Sequence, residues 1–168
     1  TRNPSGVIMT ESRIEARIRE LGYELPVAPA PVAAYVPAVT SGSYVYTSGQ
    51  LPFVDGVLPA TGKVSGSGEE GFVNPEDAKK YAGISVLNAL AAVKSVIGDL
   101  DRVQRVVKVV GFVASEVNFT AQPAVINGAS ELLGEIFGEA GQHARSAVGV
   151  PVLPLDSPVE VEIIVEYV

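Results

Sequence analysis

Along the 168-residue chain the spacing of apolar positions changes several times, and each change marks an element. Between Glu11 and Leu21, Ile14, Ile18 and Leu21 recur at helical spacing among Arg13, Glu15, Arg17, Arg19 and Glu20. This predicts a short amphipathic helix that stops at Gly22. Pro26 to Pro37 is rich in Pro and Ala and free of charge, and reads as an extended segment lying on the body of the protein. Tyr44 to Ser48 and Gln50 to Val54 read as strands, closed by a turn at Asp55-Gly56, and Gly62 to Gly71 reads as a Gly/Ser loop.

Asn74-Pro75-Glu76-Asp77 then supplies an N-cap, a proline at the first helical position and acids in the first turn. Ala78, Ala82, Val86, Ala89, Val93 and Val96 follow on one face, up to Gly98. Arg105 to Ala114 is β-branched on both faces, the pattern of a strand covered on both sides, by helices on one and by another subunit on the other. A second long helix starts near Gln122 with Pro123, buries Val125, Ala129, Leu132, Leu133, Ile136 and Phe137, and points Asn127 away from that stripe. Ala144 to Val150 reads as a strand, and Val159 to Val168 alternates cleanly. Val159, Val161, Ile163, Val165 and Tyr167 lie on one side of it, with Glu160, Glu162, Ile164 and Glu166 on the other. The predicted class is α+β, a sheet with both long helices on one face.

Composition narrows this picture. Hydrophobic residues make up 47% and charged residues 18%, with mean hydropathy +0.29, so the chain folds as a single domain and has apolar surface to spare for copies of itself. Gly, Pro, Ser or a charge interrupts every apolar run before the ~20 residues of a membrane span, so no membrane role is expected. The net charge is −7 and Lys and Arg never cluster, which argues against nucleic acid as a partner. With no cysteine there are neither disulfides nor thiolate metal sites, and no metal or cofactor is expected. Without a basic stretch followed by an apolar one at the start, the cytoplasm is the expected compartment. Met9 is the only methionine, so Thr1 to Ile8 reads as an upstream extension or a non-native remnant. Asn118-Phe119-Thr120, formally a glycosylation sequon, reads as a loop before a helix.

Two glycine motifs fail on inspection. Gly66-Ser67-Gly68-Glu69-Glu70-Gly71 matches G-x-G-x-x-G, but no hydrophobic strand feeds it and two carboxylates stand where a pyrophosphate would approach. Gly56 to Lys63 has one residue too many for a P-loop, and Val64 replaces the hydroxyl that would hold magnesium. Arg145 carries more weight. It is the only Lys or Arg after Lys108 and sits in the apolar strand context Ala144-Arg145-Ser146-Ala147-Val148, where a guanidinium is costly unless paired. It is either bridged structurally to Glu160 or Glu162 on a neighbouring strand, or it receives a ligand carboxylate through its planar fork. Glu160, Glu162 and Glu166 form a solvated face or, for one of them, hold a water. Tyr35 packs or covers a ligand. His143, the only histidine, reads as a surface or interface residue rather than a general base.

In combination, Ser48-Gly49-Gln50-Leu51-Pro52, Asn74-Pro75, Ala144-Arg145-Ser146, Leu153-Pro154 and Val159-Glu160-Val161-Glu162 resemble the RidA/YjgF family, over about residues 29–168 and in the family's order. Residues 1–28 then form an N-terminal extension carrying the short helix, and 29–168 the RidA-like domain. The resemblance implies a chorismate-mutase-like fold, a homotrimer with clefts between subunits, and cofactor-independent hydrolysis of enamines and imines such as 2-aminoacrylate to ammonia and a 2-keto acid. It implies that Arg145 binds the substrate carboxylate, that Glu160 stands near the reacting water, that Tyr35, Ser48 and Asn127 line or support the cleft, and that the Gly49 backbone approaches the ligand. A cysteine common in the archetype is Ala147 here, and the first helix and the Gly/Ser loop are additions, which suggests a longer branch. The alternative readings are a non-catalytic binder of small carboxylates or keto acids and a ribonuclease or translation inhibitor, the last opposed by the acidic charge.

Overall fold

Five strands form one sheet, in a computed structural model that describes residues 11–28, 30 and 34–168. The expected extension at residues 1–8, and residues 29 and 31–33 of the Pro/Ala-rich segment, lie outside the described residues. The strands are β1 (Ala38–Ser41), β2 (Tyr44–Thr47), β3 (Val103–Ala114), β4 (Ala144–Val150) and β5 (Val159–Tyr167), in the spatial order β1-β2-β5-β3-β4. Every neighbouring pair is antiparallel except β3 and β4. That parallel pair needs a crossover, and the helix α3 (Gln122–Phe137) supplies it. The alternation of β5 survives intact: Val159, Val161, Ile163 and Val165 are buried under the helices.

The sequence misplaces part of the first hairpin. Gln50 to Val54 is not a strand; only Gln50 bridges to Val161, and the Asn88 amide then holds the carbonyls of Leu51 and Phe53 at 3.0 and 3.1 Å, turning the chain away from the sheet. The hairpin partner of β2 is instead β1, immediately after the proline-rich stretch, with β5 on its other side. Strand β3 is covered on one face by Val106, Val109 and Val113 beneath the helices, while Val110 and Phe112 on the other face are only half-buried within one chain.

Helix α2 (Pro75–Ile97) begins as its sequence dictates, with Asn74 Oδ1 accepting from Asp77 N at 2.8 Å, and ends at Gly98 with φ 85°. It is long and apolar enough to cross a membrane by length and composition, yet Ala78, Ala82, Val86, Ala89 and Val93 are buried in the core. Val96, expected in that stripe, is exposed and Ile97 is buried instead. Where α2 crosses α3, a Cβ on Gly128 would land on the Lys79 carbonyl, so the two backbones meet without a side chain between them. The first helix, α1 (Arg13–Glu20), is fastened to the body: Ile18 is fully buried and Lys94 pairs with Glu15 at 2.6 Å. Asp101 accepts from the Ser12 hydroxyl and from Arg13 N and Ile14 N, each at 2.9 Å. Burial alone would raise the Asp101 pKa, but these hydrogen bonds and the Arg13 charge hold it below the ordinary value.

Candidate functional site

Arg145 lies on β4, at the edge of the sheet, and its register with Val109 turns it toward the helix-covered side. There α3 offers Asn127 and Ser130, three residues apart and therefore on one helix face. Arg145 Nη1 donates to Asn127 Oδ1 at 2.7 Å and to Ser130 Oγ at 3.3 Å. His143, just before β4, places Nε2 at 2.8 Å from Ser130 Oγ and Nδ1 at 2.6 Å from the Gly141 carbonyl. Arg145 enters no ion pair among the described residues, and its Nε and Nη2 have no protein partner there. The bridge to Glu160 or Glu162 is not formed for a geometric reason. Those residues are registered with Phe112 and Val110, on the opposite face from Val109 and Arg145.

Glu160 lies on that opposite, open face, half-buried, where it gathers different neighbours. A Cβ on Gly49 would come within 2.5 Å of Glu160 Oε2, so this carboxylate lies directly over the Gly49 backbone and would have to swing aside for any side chain there. Burial and, after it, the charge of Glu162 push the Glu160 pKa up. Ser48 next door ties the preceding segment to the sheet, its hydroxyl donating to the Val36 carbonyl at 2.7 Å and its N–H to the Pro37 carbonyl at 2.8 Å. Tyr35, beside that segment, is 67% exposed, which sets aside the packing alternative for its ring within one chain.

The six residues singled out by sequence thus fall into two groups. Arg145 and Asn127 meet at the β4 edge; Gly49 and Glu160 meet on the open face, with Ser48 and Tyr35 nearby in the chain. The single chain does not join the groups, because they occupy opposite sides of the sheet with β3 between their strands. Two concavities of about 560 and 920 Å³ lie elsewhere, one between the Gly/Ser loop and the start of α3, the other between residues 22–28 and α2. Neither is lined by Arg145 or Glu160. No group of His, Asp or Glu that could hold a metal occurs among the described residues.

Sequence reasoning missed Ser130 and did not foresee the partners of His143. The histidine expected at a surface or interface is half-buried, with both ring nitrogens hydrogen-bonded. The i,i+3 spacing of Asn127 and Ser130 was a usable signal. The arrival of His143 beside them depends on the β3–β4 register and had none.

Residues 15–167 match the family model described as "YjgF/chorismate_mutase-like, putative endoribonuclease". Protein TCP17 of Trypanosoma cruzi is 41% identical over 160 residues, covering 95% of this chain and 97% of its own. The Escherichia coli protein described as "Putative reactive intermediate deaminase TdcF" is 32% identical over 142 residues, 82% of this chain and 89% of its own. Among solved structures, Atu1372 of Agrobacterium tumefaciens, described as of unknown function, superimposes with TM-score 0.84 at 44% identity, covering 93% of each chain. Escherichia coli TdcF with bound serine superimposes with TM-score 0.59 at 27% identity, over 84% of this chain and 94% of the other.

Proposed function

The chain belongs to the RidA/YjgF family, and we propose that it is a cofactor-independent deaminase that hydrolyses small 2-imino acids to 2-keto acids and ammonia. The observation that carries this reading is Arg145: a half-buried guanidinium with no counter-ion among the described residues, one edge fastened to α3 and the other without a protein partner. An isolated cation of this kind is a receptor for an anion, and the planar fork matches a carboxylate. The serine held by TdcF is a small carboxylate ligand of the same class.

In this reading Arg145 binds the carboxylate of the imino acid and fixes the C=N carbon in front of a water. Glu160, whose pKa is raised toward the working range, takes a proton from that water as it adds to the carbon. Glu160 returns that proton to the nitrogen to give the tetrahedral carbinolamine, whose hydroxyl proton then also passes to the nitrogen, so that ammonia leaves as the C=O forms. The imine is already activated, so positioning supplies much of the rate.

Because Arg145 and Glu160 lie on opposite faces of one sheet, the site requires two chains, the Arg145–Asn127 group of one facing the Gly49–Glu160 group of the next. We place the protein in a homotrimer on this ground together with the resemblance. Tyr44, Tyr46 and Val148, each at least 40% exposed, and the half-buried Val110, Phe112 and Ile164 on the open face supply the apolar surface for it. The acidic charge opposes the RNA-cleaving activity suggested by the family description.

The test is a coupled assay in which an amino-acid oxidase generates imines and their hydrolysis is followed with and without the protein. Arg145→Lys keeps the charge and loses the fork, so hydrolysis should fall at least about tenfold, near 1.4 kcal/mol, with the fold retained. A parent protein that binds pyruvate yet gives no rate above buffer with any small imine is a carboxylate binder, and the deaminase reading is then abandoned.

A further inference from the structure

Arg145 is held through a run of hydrogen bonds that ends on a main-chain carbonyl, and this run has a direction. The Gly141 oxygen can only accept, so at 2.6 Å His143 Nδ1 must carry a proton. In the neutral ring Nε2 is then a lone pair, and at 2.8 Å it takes the single hydroxyl proton of Ser130. The Ser130 oxygen is left with lone pairs only, one of them 3.3 Å from Arg145 Nη1. Asn127 Oδ1, at 2.7 Å, accepts the other Nη1 proton.

Both protons of Nη1 are thereby committed to α3. What remains is the Nε–H and the two Nη2–H groups, the side edge of the fork, which takes a carboxylate through two parallel hydrogen bonds. We infer that His143, acting through Ser130, is a positioning residue that fixes the Arg145 guanidinium so that its Nε–Nη2 edge is the one offered to the ligand carboxylate. This rests on the carboxylate-receptor reading of Arg145. With the ring in its other tautomer, two lone pairs would face each other at Gly141, and the Ser130 proton would be released toward the guanidinium. Without His143, the hydroxyl turns freely and Arg145 keeps one anchor instead of two.

The test combines a direct reading of the proton with a pair of substitutions that separate the two ends of the ring. Nitrogen-15 NMR of the unmodified protein should find the neutral His143 protonated on Nδ1, and Ser130→Ala should move the Nε2 resonance. His143→Asn can keep the bond to Gly141 but cannot reach Ser130, whereas His143→Gln places an amide oxygen near the Nε2 position and restores an acceptor for the hydroxyl. With pyruvate as the probe, His143→Asn and Ser130→Ala should weaken binding about fivefold, the value of one hydrogen bond, and His143→Gln should recover to within about twofold. The Arg145 Nε–H should exchange with solvent faster in the first two variants and near the parental rate in the third.

A parental ring protonated on Nε2, or His143→Asn binding pyruvate as tightly as His143→Gln, overturns the inference. If the parent binds no pyruvate at all, the carboxylate-receptor reading fails on that result alone. The tautomer and the exchange of the Arg145 Nε–H still decide whether His143 positions the guanidinium; unchanged exchange in Ser130→Ala shows that it does not.

Discussion

The two faces of the sheet are built from the same strands and end differently. On the helix-covered face, Val45, Val106, Val109, Val113, Val159, Val161, Ile163 and Val165 are all 1% exposed or less, Thr47 is buried beside them, and Arg145 at the β4 edge is the charged exception among the described strand residues. On the open face, Tyr44, Tyr46 and Val148 are at least 40% exposed, and Val110, Phe112 and Ile164 are half-buried beside Lys108, Glu160, Glu162 and Glu166. A face meant for water does not need so many rings and branched chains, and a face meant for a core does not carry three glutamates. The first face is completed by α2 and α3. The second is incomplete within one chain, and it bears the carboxylate with the raised pKa.

The largest effect is expected on the completed face. Gly128→Ala puts a methyl group against the Lys79 carbonyl, and backbone cannot swing aside as a side chain can, so α3 must move off α2. Denaturant unfolding should show a loss of about 3 kcal/mol. Because α3 also carries Asn127 and Ser130, any imine hydrolysis should fall with it. Unchanged stability would mean that the two helices are not in contact where Gly128 places them.

On the open face the same kind of insult should spare the fold. Phe112→Asp adds a charge on β3 next to the register position of Glu160, where it meets like charge and, in the proposed trimer, a neighbouring chain. Sedimentation equilibrium should report a monomer with a native circular dichroism spectrum, and activity should drop at least about tenfold because the composite site is lost. If Phe112→Asp sediments like the parent, the open face is not the interface and the contrast between the faces must be explained otherwise.

The parts of this architecture that could be read from the sequence are those set by neighbours in the chain. Asn74-Pro75-Glu76-Asp77 starts a helix because the cap, the proline and the acids act within one turn, and β5 alternates because one face is buried along its whole length. Gln50 to Val54 has strand composition but lacks a strand partner, since the Asn88 amide takes the carbonyls of Leu51 and Phe53. Strand β1 is four residues long, with only Ala38 buried, so no alternation announces it. At the site, the isolation of Arg145 was visible in the sequence. Its partners were not, because whether Glu160 or Asn127 faces the guanidinium depends on which side of β4 is turned to α3, and the parallel register with β3 decides that.

The smallest predicted effect bears on the open face most directly. Burial first, and Glu162 second, raise the pKa of Glu160, so the folded chain binds this proton at a higher pH than the unfolded chain does. The ionised carboxylate therefore weighs against folding: the penalty is absent below the unfolded value, grows between the unfolded and folded values, and is fully present above the folded one. Glu160→Gln removes the charge and nearly keeps the shape. Its Tm at pH 7 should equal the parent's or exceed it by about 1–3 °C, and the difference should vanish as the pH is lowered into the carboxylate range, where the parent is protonated too. Glu162→Gln should recover part of the same gain by removing the second cause. Catalysis should move the opposite way, Glu160→Gln lowering turnover more than pyruvate affinity, because it takes away the water-activating group and leaves Arg145 in place. A Tm that falls at neutral pH would show that the ionised Glu160 gains a stabilising partner in the proposed trimer. The open face would then be completed by charge as well as by apolar contact.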